Sequence, residues 1–271
     1  MSETGWMKIG YGDLDKYKSD LSQWEHNQKI LHDHYQSYGL PSKLEELNQE
    51  QLDILKDLAQ HQPYTLTSTD DDDEIRVTNI KPKSLIYEEI LYIDLFTKEC
   101  PLTCENFKHL LKGDYKGTSK IIPSKKLHYK SNKLHRLVKD FIIQGGDIIK
   151  NNGSSGESIY GKTFKDEKSG LKLNFKFGTI AMASGSSKNS NSSQFFICLI
   201  PPISEDEEDS IQVKEFKQKQ LNKLNGKYVI FGQVTNLKSL ELLKKLNNLE
   251  NNKDEELLGH CWIDDCGMVE K

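Results

Sequence analysis
The sequence predicts a mainly-β domain, a small antiparallel barrel with two covering helices, preceded by a helical hairpin. Two observations carry this. From Ile75 onward the chain consists of short apolar runs punctuated by glycine and asparagine, the texture of short strands and turns rather than of βαβ units. Before residue 61 the apolar residues instead recur every three or four positions, the period of a helix face.

The elements follow in order. Leu14, Tyr17, Leu21, Trp24, Gln28, Leu31, Tyr35 and Tyr38 alternate spacings of three and four, a narrow a/d seam with one polar member. Gly39 and Pro41 end this helix, and Ser42 with Glu45 reads as a capping box for a second, whose apolar face is Leu44, Leu47, Ile54, Leu55 and Leu58. Residues 1–60 are therefore expected to form a helical extension. Residues 61–74 are read as a linker, since they lack apolar periodicity and end in the acidic run Asp70 to Glu74. Strands are expected at Leu91 to Leu95, Phe141 to Ile143, Ile148 to Ile149, Gly178 to Ala183, Phe195 to Ile200 and Tyr228 to Val234. Thr103 to Leu111 reads as a helix stopped by Gly113. Asn236 to Leu249 reads as another, with Asn236 as its N-cap and Leu237, Leu240, Leu243 and Leu246 on its buried face.

Composition narrows the function. In 271 residues with a net charge of −4, no stretch approaches the roughly 20 apolar residues of a membrane span, and the N-terminus lacks the basic-then-apolar order of a secretory signal. Five cysteines without a CxxC pair read as reduced thiols, so a cytoplasmic setting is expected, and neither a membrane nor a nucleic acid is an expected partner. Charge is unevenly spread: residues 1–69 carry five more acids than lysines, and Asp70 to Glu74 and Glu205 to Asp209 add five acids each. A basic body with acidic attachments results. The chain holds 35 lysines but only two arginines, Arg76 and Arg136, so an arginine retained here is a candidate for work that needs the planar guanidinium fork. His260, Cys261, Asp264, Asp265 and Cys266 are metal-ligand types, but they fall in a predicted terminal strand and no metal site is expected. No phosphate loop, nucleophile elbow or HExxH motif occurs.

Five blocks then align in order: LHYKSNKLHRLVKDFIIQGGD from Leu127, GESIYGKTFKDE from Gly156, GTIAMAS from Gly178, NSSQFFIC from Asn191 and LNGKYVIFGQV from Leu224. Over about residues 85–271 the chain thereby resembles the cyclophilins. That resemblance implies an eight-stranded antiparallel barrel closed at each end by a helix, peptidyl-prolyl cis-trans isomerase activity on X-Pro bonds of protein segments, and no cofactor. By motif position Arg136 resembles the catalytic arginine and Gln144 the glutamine that hydrogen-bonds the substrate backbone. Phe141, Ile142, Phe196 and Leu224 would line the proline pocket, with Tyr228 beside them. Ala183, Ser184 and Gln194 would edge the groove for the residue before proline.

The sequence departs from the family at four of these positions. Ile142 stands for methionine, Ser184 for asparagine, Lys223 for tryptophan and Tyr228 for histidine, and the lost indole at Lys223 implies weakened cyclosporin binding. Residues 201–223 insert an acidic run followed by a helix-compatible stretch with Ile211, Phe216 and Leu221. The LHYK-to-ESIYG stretch and the ending GHCWIDDCGMV further resemble divergent ciliary cyclophilins associated with axonemal radial spokes. Two functional readings stay open: an isomerase domain spanning 75–271, held in an assembly through residues 1–69, or a non-catalytic structural subunit of a ciliary axonemal complex.

Overall fold
The computed structural model describes residues 3–60, 86–185, 187–203, 210–251, 255, 257 and 260–270. The expected linker at 61–74, with its acidic run, Arg76 and the acids of 205–209 lie outside the described residues. The chain divides into two units, residues 1–12 with 87–271, and residues 13–86.

The described elements are β1 (Glu3–Gly12), α1 (Leu14–Tyr38), α2 (Gln49–Gln60), β2 (Ile86–Leu95), α3 (Pro101–Lys112), β3 (Asn132–Lys133), β4 (Arg136–Val138), β5 (Ile142–Gly145), α4 (Lys168–Leu171), β6 (Thr179–Met182), β7 (Phe195–Cys198), α5 (Ile211–Leu224), β8 (Ile230–Gln233), α6 (Leu237–Asn247) and β9 (His260–Met268). Nine strands among the described residues form one sheet in the order β3-β9-β1-β2-β8-β6-β7-β5-β4. The expected mainly-β antiparallel fold is present. Nine strands are described where eight were expected, and the short pieces β3 and β4 take the two ends of the order.

The chief correction concerns the N-terminus. Residues 3–12, expected to open the helical extension, form β1, which pairs antiparallel with β9 from Gly5 opposite Met268 to Gly12 opposite His260. Met7, Ile9 and Tyr11 alternate into the core. Because β1 sits between β9 and β2 in the sheet, the helical segment is an insertion between two neighbouring strands rather than a leading arm.

That inserted unit has its own apolar cluster, with Trp24, Ile30, Leu31, Leu40, Leu44, Leu47, Leu52, Leu55 and Ala59 buried. Helix α1 ends as expected: Gly39 takes φ +63° and Leu40 N donates to Tyr35 O at 2.8 Å, a Schellman closure that seats Leu40 in the cluster. The buried stripe differs from the expected seam, because Gln28 is exposed, Tyr38 is half exposed, and Asn27 and Ile30 are buried instead. The second helix also starts later. Ser42 precedes, and Glu45 lies within, a single 3-10 turn at Leu44–Glu46, and the working capping box is Asn48 with Gln51, each accepting the other's backbone N–H at 3.0 Å.

In the sheet-bearing unit, α3 ends at Gly113, and α6 is capped by Asn236, whose side chain accepts from Ser239 N. The buried face of α6 is Ser239, Leu242, Leu243 and Leu246, while the expected Leu237 is 78% exposed. The reason is Ser239, whose hydroxyl accepts from Tyr92 N and so turns its side of the helix toward β2. The insertion forms α5 as anticipated, capped by Ser210. Only its C-terminal end is seated, with Leu224 buried and Ile211 and Phe216 exposed.

Candidate functional site
Strand alternation divides the sheet into two faces. Leu137, Ile143, Ile197 and Ile180 stand opposite one another across β4, β5, β7 and β6 and point into the main core. Their neighbours in sequence point the other way, so Arg136, Gln144, Phe196 and Ala181 form one row on the outer face. Ile142, Ala181, Phe196 and Leu224 belong there to a second apolar cluster, against which Phe141, Ala183 and Tyr228 pack.

This outer face floors a cavity of about 480 Å³ lined by Arg136, Phe141, Ile142, Gln144, Ala183, Ser184, Gln194, Phe196, Leu224 and Tyr228. All ten residues singled out from the sequence are thus brought together. Gly153, Gly185 and Lys223 complete the lining, and only Lys223 among them drew attention in the sequence. Phe196 is held edge-on by Tyr228, with centroids 5.1 Å apart, and stacks on Phe175 at 5.6 Å, which gives the apolar seat a rigid wall.

The polar side is a chain of donors and acceptors. Arg136 Nη1 donates to Gln144 Oε1 at 3.4 Å, Gln144 Nε2 to Gln194 Oε1 at 2.9 Å, and Gln194 Nε2 to the carbonyls of Gly153 and Ser155 at 2.9 and 2.5 Å. Those carbonyls are fixed by Asp147, whose carboxylate accepts the backbone N–H groups of Ile149, Lys150, Asn152, Gly153 and Ser155. Burial of Asp147 works to raise its pKa, but these N–H donors outweigh it and hold the carboxyl below its ordinary 3.8. Gly146, at φ +88°, passes so close to β7's approach that a Cβ would lie 2.5 Å from Ser193 O, so the Gly-Gly after Gln144 is dictated by backbone contact.

One participant has no counterpart in the sequence reading. Glu255 Oε2 accepts from Arg136 Nε at 2.7 Å and lies 2.5 Å from Nη2, holding the guanidinium edge that faces away from Gln144. Glu255 adopts φ +63°, and its carbonyl accepts Leu137 N at 2.9 Å, so the backbone itself is tied to β4. Its 119-residue separation from Arg136 left no local signal. Cys261 and Cys266, among the ligand types considered for a metal, are buried in the core, and burial pushes both thiols up to about 12. Among the described residues no group of three or more His, Cys, Asp or Glu side chains is arranged to hold a metal, and no helix is long and apolar enough to cross a membrane.

Comparison with known proteins gives a consistent picture. The family model described as cyclophilin type peptidyl-prolyl cis-trans isomerase matches residues 84–268. Peptidyl-prolyl cis-trans isomerase 9 of Caenorhabditis briggsae is 42% identical over 160 residues, and the protein of the same name from Caenorhabditis elegans 38% over 181; these matches take in 58% and 66% of this chain. The chain spans only 42% and 50% of the length of those relatives. Among solved structures, a cyclophilin type peptidyl-prolyl cis-trans isomerase of Cryptosporidium parvum superimposes with a TM-score of 0.51 at 32% identity, covering 67% of this chain and 92% of that one. A second structure of that protein, obtained in the presence of the dipeptide Ala-Pro, matches with the same TM-score at 33% identity, covering 67% and 94%.

Proposed function
Because the chain belongs to the cyclophilin-type peptidyl-prolyl cis-trans isomerase family, we propose that it catalyses rotation about X-Pro bonds of protein segments in the cavity that Arg136, Gln144 and Phe196 line. Uncatalysed rotation takes tens of seconds or more over a barrier of roughly 20 kcal/mol, because the C–N bond has partial double-bond character. No covalent bond has to break. At about 1.36 kcal/mol per tenfold, reaching milliseconds takes about 5 to 6 kcal/mol of binding that favours the twisted bond.

The residues divide that work. Phe141, Ile142, Phe196 and Leu224 seat the ring, and Gln144 holds the substrate backbone. Arg136 donates to the prolyl carbonyl and faces the nitrogen lone pair that appears when conjugation is lost. The observation that supports this reading is the row Arg136, Gln144 and Phe196 on adjacent strands, a guanidinium, an amide and an aromatic ring side by side. The full chain is expected to accelerate isomerisation of a proline tetrapeptide in a concentration-dependent way. A rate equal to the spontaneous one would overturn the assignment.

A second reading concerns where the protein works. The unit at 13–86 builds an apolar cluster of its own, with Trp24, Leu44 and Leu55 buried, which favours a role in holding the protein within a larger assembly. The assembly implied by the resemblance is a ciliary axonemal one of radial-spoke type, in which the fold serves as a structural subunit. Since β1 is part of the sheet, the proposed anchor is the inserted unit and not residues 1–69 as a whole. Fractionation tests it: retention in a salt-resistant cytoskeletal pellet is the expected result, and full release into the cytosolic extract refutes it.

A further inference from the structure
A second cavity, of about 630 Å³, adjoins the prolyl cavity and shares Ser184, Gly185 and Tyr228 with it. Lys168, Lys188 and Lys227 line it, and Lys223 stands over the prolyl cavity itself. Asp166 is the one carboxylate on this lining, and both its oxygens are engaged: Oδ1 accepts from Asn191 Nδ2 at 2.8 Å and Oδ2 from Asn189 N at 3.0 Å.

Among the described residues these cations have no counter-ion. Elsewhere Lys8, Lys108, Lys112, Lys130 and Lys245 each pair with a carboxylate, whereas among the described residues no carboxylate lies within ion-pair distance of Lys168, Lys188, Lys223 or Lys227. One exposed lysine does little. Several of one sign around a concave wall add their potentials and raise the local concentration of anions.

We propose that this groove selects prolyl segments that carry an anionic side chain, a carboxylate or a phosphate, ahead of the proline, with Lys168, Lys188 and Lys227 receiving the anion. The inference rests on the prolyl-groove reading above. Ser184 edges the place of the residue before proline, so the adjoining cavity lies within reach of side chains about two or three residues ahead, at roughly 3.3 to 3.6 Å per extended residue.

The test uses the full chain and a peptide series with alanine, lysine, glutamate or phosphoserine at the second and third positions before proline. Isomerisation gives kcat/KM, and fluorescence anisotropy of labelled peptides gives Kd, both at low and high salt. Glutamate is expected to be favoured over lysine by about fivefold or more at low salt, with the ratio shrinking at high salt. Phosphoserine above glutamate assigns a phosphate as the preferred anion, and phosphoserine at or below glutamate assigns a carboxylate. The triple variant Lys168→Glu, Lys188→Glu, Lys227→Glu is expected to reverse the glutamate-to-lysine order while leaving the alanine peptide within about twofold, since none of the three lines the prolyl cavity. Equal Kd values for the glutamate and lysine peptides, or a ratio unmoved in the triple variant, would overturn the proposal. Absence of turnover on the alanine peptide counts instead against the isomerase reading, and the Kd ratios still decide the charge selection.

Discussion
Replacing Arg136 with alanine is expected to lower kcat/KM for a neutral proline tetrapeptide at least tenfold. A guanidinium has five N–H groups. In this structure Nε and one Nη2 hydrogen face Glu255 Oε2, and one Nη1 hydrogen is directed at Gln144 Oε1. One hydrogen on each terminal nitrogen therefore remains for the substrate. A hydrogen bond to a charged group contributes about 1.5 to 3 kcal/mol, which at about 1.36 kcal/mol per tenfold corresponds to roughly tenfold to 150-fold. The side chain is 40% exposed, so water weakens the bond until a bound segment covers it, and the lower half of that range is expected. Arg136→Lys keeps the charge but loses the fork, and should fall between the two. Stability should change little, because an ion pair this exposed is typically worth no more than about 1 kcal/mol. The assay is tetrapeptide isomerisation with thermal melts as the control. Equal rates for wild type and Arg136→Ala, at unchanged melting temperature, would refute the role given to this residue.

Four further outcomes are expected. Lys223→Trp should tighten cyclosporin binding in calorimetry, since an indole restores apolar area and an N–H donor at the cavity rim; no gain would mean that affinity is limited elsewhere in the groove. Asp147 has a native pKa below its unfolded value, so its contribution is present above the unfolded pKa and is lost as pH falls through the native one; below about pH 4 the melting temperature of wild type should drop more steeply than that of Asp147→Asn, and parallel slopes would disconnect the carboxylate from acid stability. Replacing residues 13–85 by a short Gly-Ser linker should leave peptide isomerisation within about twofold, because Tyr11 and Tyr87 stack at 5.4 Å and the strand ends are already close. Deleting residues 1–12 should unfold the sheet by removing a strand between β9 and β2; a truncated chain that melts like wild type would contradict that placement.

The parts of the fold that sequence reading located are those whose signals are local. Helix α3 stops at its glycine and α6 starts at its asparagine, as read from the sequence, whereas the Ser210 cap of α5 comes only from the structure. Strand β1 went unread although Met7, Ile9 and Tyr11 alternate, because Gly5, Gly10 and Gly12 look like turn punctuation. The structure gives those glycines another purpose. A Cβ on Gly10 would stand 2.5 Å from the Trp262 ring, and one on Gly5 2.6 Å from Leu111, so the strand is bare where neighbouring side chains lie across it. The hairpin helices show the reverse error: the seam spacing was real, but a narrow stripe does not say which flanking residue completes the buried face, and Ile30 rather than Tyr38 does so.

The residues proposed for the site come from the resemblance, and the register shows why they lie together. Arg136 and Gln144 are eight residues apart on two strands that pair directly, so a single stretch of sequence contains the guanidinium, the amide and the turn that sets them opposite each other. The same alternation that sends Leu137 and Ile143 into the core sends Arg136 and Gln144 out to the groove. A slip of one residue between β4 and β5 would exchange the two sets, burying a guanidinium and exposing two aliphatic side chains. Selection for a packed core therefore also holds the polar row in place. Glu255 lies outside that logic, since it reaches the guanidinium from a distant segment through its own left-handed turn. Its carboxylate therefore bears on the guanidinium independently of the β4–β5 register that sets Arg136 opposite Gln144.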